Sequence, residues 1–155
     1  MAVYEVRPAT DELLAEIASR PRQADVDELW AAGRLTPDEA MRMGLRFGDT
    51  HVGIVDGEPV CAFGVTPISS LTGLGAPWMV GSTALDAHFR GFLRGCGPVV
   101  EAMLERWPCL VNYVDARNQR AVKWLKWLGF SILPPEPYGV DGLLFHPFIK
   151  EASHV

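Results

Sequence analysis

The chain has 155 residues, which is the usual length of one domain and enough to bury a sizeable core. Hydrophobic residues make up 48% of the chain and charged residues 21%, a balance that excludes wholesale disorder. The net charge of −5 disfavours general binding to nucleic acid, because contacts with phosphates need a basic surface.

The three cysteines do not indicate a disulfide framework or a metal centre. Cys61, Cys96 and Cys109 are scattered without paired spacing, and no metal-ligand cluster accompanies them, so we expect no bound metal. The first residues lack the apolar core of a signal peptide, and no run approaches the length of a membrane span. These features predict a protein of the reducing cytoplasm without a membrane partner.

The amino-terminal part predicts one strand followed by a helix. Residues 3–7 alternate apolar and polar side chains, and Pro8 should end this strand. Thr10 can cap a helix, because two acidic residues follow it in the first turn. A strand followed by helices and then by more strands is therefore expected.

Two further helices are predicted before residue 45. The second helical stretch covers residues 25–32, and Gly33 should stop it. Thr36 begins the third, since a capping residue followed by proline and two acids is a helix start signal. We expect Gly44 to break this third helix.

The clearest local signal of the first half is a hairpin between residues 49 and 67. Asp56 and Gly57 stand between two apolar runs, which is typical of a type I′ turn. That turn needs a positive φ at both positions, which glycine adopts freely and aspartate tolerates. Pro67 is expected to end the second strand.

A loop over residues 69–77 and a buried strand over 78–80 should follow. Pro98 suits the first position of a helix, and the apolar residues after it recur on one face. The glycine-containing segment 95–97 before it can present backbone N–H groups to an anion. The alternative is a loop that only connects a strand to a helix.

Residues 110–130 predict a strand, a capped helix, a glycine stop and a second strand. Residues 110–114 are a short apolar run, which is typical of a buried strand. Asn118 can cap the helix by accepting a bond from a free backbone N–H. Gly129 can end the helix, because it tolerates the left-handed conformation of a last turn.

The carboxyl-terminal part predicts a connection and a final strand. Prolines between 134 and 137 exclude a central strand there, since proline has no N–H to donate. A turn over 139–142 and a strand over 143–148 follow. We expect residues 1–150 to form a single domain and residues 151–155 a polar tail.

The unit at 110–130 resembles the second half of the GNAT acyltransferase superfamily. Members often have Asn, then Ala three residues on, an apolar residue and Tyr at six and seven, and Gly-Phe at eleven and twelve. The corresponding residues here are Asn118, Ala121, Trp124, Leu125, Gly129 and Phe130. The spacing matches fully, but the family's tyrosine, often the general acid, is Leu125 here. The resemblance is strong over residues 108–148 and weak before them.

This resemblance implies an α/β fold: one GNAT-like domain with a mixed, mostly antiparallel sheet and helices on both faces. It implies transfer of an acetyl group from acetyl-CoA to an amine. In that family a loop of the form Arg/Gln-x-x-Gly-x-Gly/Ala holds the pyrophosphate of the cofactor and runs into a helix. Neither frame is complete here, because Leu93 or Phe92 falls on a required position. The candidate cofactor-binding residues are Arg90, Arg94, Gly95, Cys96, Gly97 and Asn118.

Acetyl transfer to an amine needs a base for the ammonium and an acid for the leaving thiolate. His51 is the first candidate base, because the family often places a base on this strand; the alternative is a half-exposed strand residue. His88, Asp49 and Glu58 are further candidates for the base. Tyr113 and Tyr138 are candidate acids, although Tyr113 also suits a core position. Cys96 beside Arg94 could form a thiolate of lowered pKa.

The amino-acid sequence of residues 112–130 resembles a narrower group even more closely, namely the small GNAT-like internal-virion or assembly proteins of short-tailed bacteriophages. That resemblance implies a second function, virion assembly with little or no catalysis. Its partners would be phage structural proteins, and its location the host cytoplasm or the virion. Leu125 and the incomplete phosphate loop favour this second function, whereas the residual glycines at 95 and 97 favour the enzyme.

Overall fold

The computed structural model describes residues 1–153 of the chain. Within them, the strands and α-helices follow in the order β1 (Tyr4–Pro8), α1 (Asp11–Ala18), α2 (Gln23–Gly33), α3 (Pro37–Phe47), β2 (Thr50–Val55), β3 (Glu58–Ser69), β4 (Leu74–Gly81), α4 (Phe89–Arg106), β5 (Cys109–Asp115), α5 (Gln119–Trp127), β6 (Ser131–Ile132), β7 (Glu136–Tyr138) and β8 (Leu143–Glu151). A 3₁₀ turn, Thr83–His88, leads from β4 into α4. No helix in this part of the chain is long and apolar enough to cross a membrane.

The strands form one mixed sheet in the order β1-β2-β3-β4-β5-β8-β6, with β7 also paired to β8. Neighbouring strands are antiparallel except β4 and β5, which are parallel. Helices α1 and α3 pack on one face, where Leu14, Ile17 and Met41 meet Val52 and Val80. Helices α4 and α5 cover a second cluster with β5 and β8. The predicted fold class, a mostly antiparallel α/β sheet with helices on both faces, is confirmed.

Several local signals have their expected outcome because each depends on neighbours in the chain. Thr36 forms a full capping box with Glu39, in which each side chain accepts the other's backbone N–H. Asp56 has φ 49° and Gly57 has φ 80°, as a type I′ hairpin requires. Gly129 has φ 94° just after α5. The helix caps at Thr10, Thr36 and Asn118, the hairpin and the glycine stop at Gly129 are therefore confirmed.

The predicted end of the second helix is confirmed, because α2 ends at Gly33, although Arg34 and not the glycine takes the left-handed conformation, with φ 57°. Two other predicted ends are wrong. Gly44 does not break α3; a Cβ there would lie 2.3 Å from the ring of Trp78, so glycine allows close packing. Pro67 does not end β3, which continues to Ser69 with a register shift after the proline.

In the carboxyl-terminal part the predicted turn and last strand are present, but Glu136–Tyr138 of the predicted connection form strand β7, which pairs with β8. The turn at 139–142 has Gly139 at φ 79° and Gly142 at φ 64°. Strand β8 runs from Leu143 to Glu151, so the first residue of the predicted tail belongs to the sheet. Residues 154 and 155 of that tail lie outside the described residues.

The start of α4 differs most from the prediction. The helix begins at Phe89, and Pro98 lies inside it. Proline removes one helical hydrogen bond, the one to the carbonyl group of Arg94. Apolar side chains on both sides of Pro98, among them Phe92 and Val99, pack against β2 and β3 and compensate for the lost bond. Burial of this face therefore overrides the local signal.

Candidate active site

Strands β4 and β5 pair only at one end and then separate. Their paired residues are Leu74 with Cys109 and Gly75 with Leu110. Beyond them the side chain of Asn112 spans the gap, since its Nδ2–H donates to the carbonyl of Pro77 at 2.9 Å. The Oδ1 atom of Asn112 accepts the N–H of Tyr113 at 2.8 Å. The sheet therefore has an opening in its middle that a side-chain amide bridges.

A cavity of about 550 Å³ runs through this opening and reaches helices on both faces of the sheet. On the α4–α5 side its wall is apolar and includes Phe92, Val99, Met103, Trp124 and Leu128. On the α2–α3 side it includes Glu28, Leu29, Met43, Phe47 and Trp78. One continuous space of this size, mostly apolar with few polar groups, is typical of a small-molecule site.

Helix α2 brings buried charge to the α2–α3 side. Arg22, Asp25 and Glu28 follow at three-residue spacing, so they lie on one face of the helix, and all three line the cavity. Among residues 1–153, Glu5 is the one other charged residue of the lining. The cavity is therefore acidic on this side.

Asp25 is 5% exposed and is held by the backbone of β4. Its Oδ2 atom accepts the N–H of Gly81 at 2.8 Å, and the guanidinium of Arg22 lies 3.9 Å away. Burial raises the pKa of Asp25, although the hydrogen bond from Gly81 and the charge of Arg22 act in the opposite direction. This carboxyl ties α2 to the end of β4.

Glu28 faces the cavity from the same helix and reaches the end of β5. Its Oε1 atom accepts the N–H of Asp115 at 2.7 Å. The pKa of Glu28 is raised to about 8: burial is the main cause and the charges of Asp25 and Asp115 add to it, whereas hydrogen bonds from the Asp115 backbone and the Asn118 side chain act in the opposite direction. Glu28 is therefore largely protonated at pH 7 and can both take up and release a proton near neutral pH.

Tyr113 and Tyr138, the two predicted acids, lie together in the wall of the cavity. Their rings stack with centroids 3.9 Å apart, and Phe145 packs edge-on against Tyr138. Burial raises the pKa of Tyr138, and the neighbouring Tyr113 adds to this effect. Asn118, also predicted, lines the cavity, accepts the N–H of Ala121 at 3.4 Å and so caps α5.

The predicted phosphate loop does not exist as a loop. Gly95, Cys96 and Gly97 lie inside α4, where backbone N–H groups serve the helix and do not face an anion. Arg94 is exposed, and Arg90 borders a smaller cavity near the start of the helix. The prediction of free N–H groups at 95–97 is therefore wrong.

The predicted thiolate at Cys96 is also wrong. The side chain is 7% exposed, and its sulfhydryl donates to the carbonyl of Phe92 at 3.3 Å. Burial raises the pKa of the Cys96 thiol to about 12, so it stays protonated. Arg94, although close in the sequence, does not lower the pKa of the Cys96 thiol as expected.

The structure does not bring His51 to the cavity. This residue lies on β2 between Pro8 and Phe63, and its ring stacks on that of Phe63 with centroids 5.9 Å apart. Glu58 forms an ion pair with Arg20 on the surface. Among residues 1–153 there is no group of three or more metal-ligating side chains.

Sequence reasoning missed Asp25 and Glu28. The available signal was their three-residue spacing in a helical stretch, which places two acids on one face. That face could not be recognised as buried, because the contacts that bury it come from Gly81 and Asp115, which are distant in the chain.

A smaller cavity of about 320 Å³ lies at the amino-terminal end of α4. Arg120 borders it, donates to Asp86 at 2.7 Å and lies over the ring of Phe89, 4.0 Å from its centroid. The unpaired N–H groups of a first helical turn favour an anion. The carboxylate of Asp86 repels an anion, but ion pairs with Arg22 and Arg120 neutralise the charge of Asp86.

The resemblance to GNAT proteins implies coenzyme A as cofactor, and three features of the cavities bear on its fit. The opening between β4 and β5 leads a narrow chain from the α4–α5 side toward Glu28. The Nε1 atom of Trp124 is buried without a hydrogen-bond partner among the described residues, so its N–H is free for an amide oxygen of a ligand. Arg120 and the first turn of α4 suit a phosphate. The residues present therefore fit the group.

No family model matches the chain, and no curated protein sequence matches it. Solved structures do match over nearly the whole length. A GNAT-family acetyltransferase of Streptococcus pneumoniae is 17% identical with a TM-score of 0.65, covering 97% of this chain and 100% of its own. A ribosomal-protein-alanine N-acetyltransferase of Brucella melitensis is 14% identical with a TM-score of 0.73, covering 95% and 99%. An aminoglycoside acetyltransferase in complex with coenzyme A is 14% identical with a TM-score of 0.69, covering 96% and 95%.

At these identities the likeness concerns the arrangement of the backbone and not the substrate. The resemblance to phage proteins has no counterpart among these structures and stays a prediction. The TM-scores of 0.65 to 0.73 over nearly the whole chain show that its backbone follows the same arrangement as these acetyltransferases. The chain has the fold of the GNAT acetyltransferases.

Proposed function

We propose that this protein is an acyl-CoA-dependent N-acyltransferase that acts on an amine. One observation carries the proposal: a single cavity is lined from both faces of the sheet beside the opening between β4 and β5, and the carboxyl of Glu28 lies in its wall. A transferase needs two ligands to meet, and a continuous space with different walls at its two ends allows this. The fold of known acetyltransferases supports the same function.

Glu28 has the properties of the base. An amine enters as an ammonium ion and must lose a proton before its nitrogen can attack. Burial raises the pKa of Glu28, because it favours the uncharged acid over the carboxylate. It also disfavours a charged ammonium, so both effects favour transfer of a proton from the amine nitrogen to the carboxylate of Glu28. We assign the role to Glu28, because His51 does not line the cavity.

Coenzyme A, when bound, supplies an acyl group as a reactive thioester. The α4–α5 side would hold its arm, with Trp124 and Asn112 as hydrogen-bonding groups and Arg120 near the phosphates. In the overall reaction a C–N bond forms, a C–S bond breaks, the amine loses a proton and the thiol gains one. Tyr113 lines the same cavity and is the candidate donor for that last proton.

Titration calorimetry with acetyl-CoA tests the proposal. Val99 lines the α4–α5 side, so Val99→Trp should fill part of it and weaken binding by about tenfold or more. Ala102→Trp is the matched control, because Ala102 is exposed on the same helix and does not line the cavity. Absence of wild-type binding at millimolar acetyl-CoA would overturn the proposal.

The second candidate is a GNAT-fold protein of a phage particle with little or no catalysis. Leu125 occupies the slot of the family's tyrosine, and exposed apolar residues such as Trp127, 60% exposed, offer an assembly surface. This candidate predicts no acetyl-CoA binding and co-assembly with phage structural proteins. The same titration therefore separates the two functions.

A further inference from the structure

We propose that the acceptor is a primary monoamine with a compact apolar body, of the arylalkylamine class. This inference rests on the proposed function and names the substrate of the same site. It follows from two features of the α2–α3 side: an apolar entrance and one carboxyl group without a cationic partner. An ammonium ion beside Glu28 lowers the pKa of this carboxyl and so favours its charged form, which makes a single positive charge on an apolar body the complement of this space.

The entrance is formed by apolar side chains of α3. Met43 is 47% exposed and Phe47 is 58% exposed, and both also line the cavity. Leu29 and Trp78 continue the apolar wall inward. A ligand that passes this entrance leaves water, so an apolar body gains free energy while each extra charge loses hydration.

The charges of the lining leave room for one cation. Glu5 is paired with Arg7 at 2.9 Å on the exposed edge strand. Asp25 has Arg22 as its neighbour, and Arg22 also contacts Asp86 at 3.4 Å. Within residues 1–153, Glu28 makes no ion pair.

The same balance disfavours acceptors with a second charge. A diamine would bring a second ammonium to an apolar wall, where it would lose hydration without gaining a partner. An amino acid would bring a carboxylate, but the one cation of the lining, Arg22, already faces Asp25 and Asp86. The site should therefore prefer a monoamine over a diamine or an amino acid, because the second charge of either competitor would be buried without a partner.

Three acceptors of matched chemistry test this: 2-phenylethylamine, phenylalanine, which adds a carboxylate, and 1,4-diaminobutane, which adds a second ammonium. We expect 2-phenylethylamine to have a kcat/KM at least tenfold higher than either of the others. Equal or better transfer to the diamine or the amino acid would overturn the inference and leave the proposed function intact. Failure to bind acetyl-CoA, with no transfer to any amine, would overturn both.

Binding of 2-phenylethylamine to the protein alone gives a readout besides activity. Met43→Lys places a cation at the entrance and should weaken this binding at least fivefold. Leu45→Lys is the control, because Leu45 is 36% exposed on the same helix but does not line the cavity. Equal effects of the two variants, or no effect of Met43→Lys, would contradict the inference.

Discussion

The two sides of the central cavity are built from different chemistry. The α4–α5 side is apolar, with the free N–H of Trp124 as a donor. The α2–α3 side has an apolar entrance and two carboxyls, the buried Asp25 and the half-buried Glu28, which accept backbone N–H groups of β4 and β5. The first side suits a long uncharged chain with hydrogen-bonding groups, and the second suits a cation.

This difference locates the chemistry at the opening between the strands. A carboxyl whose pKa lies near neutrality can exchange a proton at physiological pH, and Glu28 lines the cavity beside the opening. The comparison therefore predicts that a substitution on one side of the cavity changes the binding of one ligand and leaves the binding of the other ligand unchanged. The following predictions are arranged from the largest effect to the smallest.

The largest effect should come from Glu28→Gln. The amide keeps an oxygen for the N–H of Asp115 but cannot accept a proton, so acetyl transfer to an amine should fall by about 100-fold or more. Acetyl-CoA affinity, measured by calorimetry, should stay within about twofold, because the change lies on the other side of the opening.

Asp27→Asn is the matched control for this variant. Asp27 lies on the same helix but is exposed and accepts a bond from Gln23, so its loss should leave transfer unchanged. Equal activity of the two variants would contradict the role of Glu28 as base.

A second prediction concerns stability as a function of pH. Glu28 has a pKa of about 8 in the folded protein against an ordinary value of 4.5, so between these values the folded state holds a proton that the unfolded state has lost. The free energy of unfolding should therefore fall as pH rises through this window, by about 1.4 kcal/mol per pH unit from this group. Asp25, whose pKa burial also raises, contributes in the same direction.

Urea unfolding of Glu28→Gln at several pH values checks this expectation. The variant should lose the contribution of one proton, so its stability should decline less steeply between about pH 5 and pH 7. A decline as steep as that of the wild type would show that Glu28 has an ordinary pKa.

Much of the fold follows from local signals in the sequence. The capping box at Thr36, the turn at Asp56 and the glycine stop at Gly129 each depend on residues within a few positions. Such features are decided by backbone conformation and a nearby side chain, and packing only has to agree with them. Local signals of this kind predict individual caps and turns, whereas the fold class follows from the resemblance of residues 110–130 to GNAT proteins.

The site could be predicted only in part. Tyr113 and Asn118 were recognised from the unit at 110–130, and both line the cavity. Glu28 was missed because its partner Asp115 is 87 positions away, and burial by distant elements is what shifts its pKa. The start of α4 was wrong because buried apolar residues around Pro98 outweigh one lost hydrogen bond.

The most direct test of the two-sided cavity is an NMR titration of the protein with ¹³C-methyl-labelled methionines. Met103 lines the α4–α5 side, Met79 lies in β4 beside the opening, and Met43 lies at the entrance of the α2–α3 side. Met41 is fully buried outside the cavity lining and Met1 is exposed, so both are internal controls.

We predict that acetyl-CoA shifts the methyl signals of Met103 and Met79, whereas 2-phenylethylamine shifts that of Met43. Both ligands added together should shift all three and leave Met41 and Met1 in place. Shifts confined to the same methionine for both ligands, or no shift of the three with either, would contradict the account.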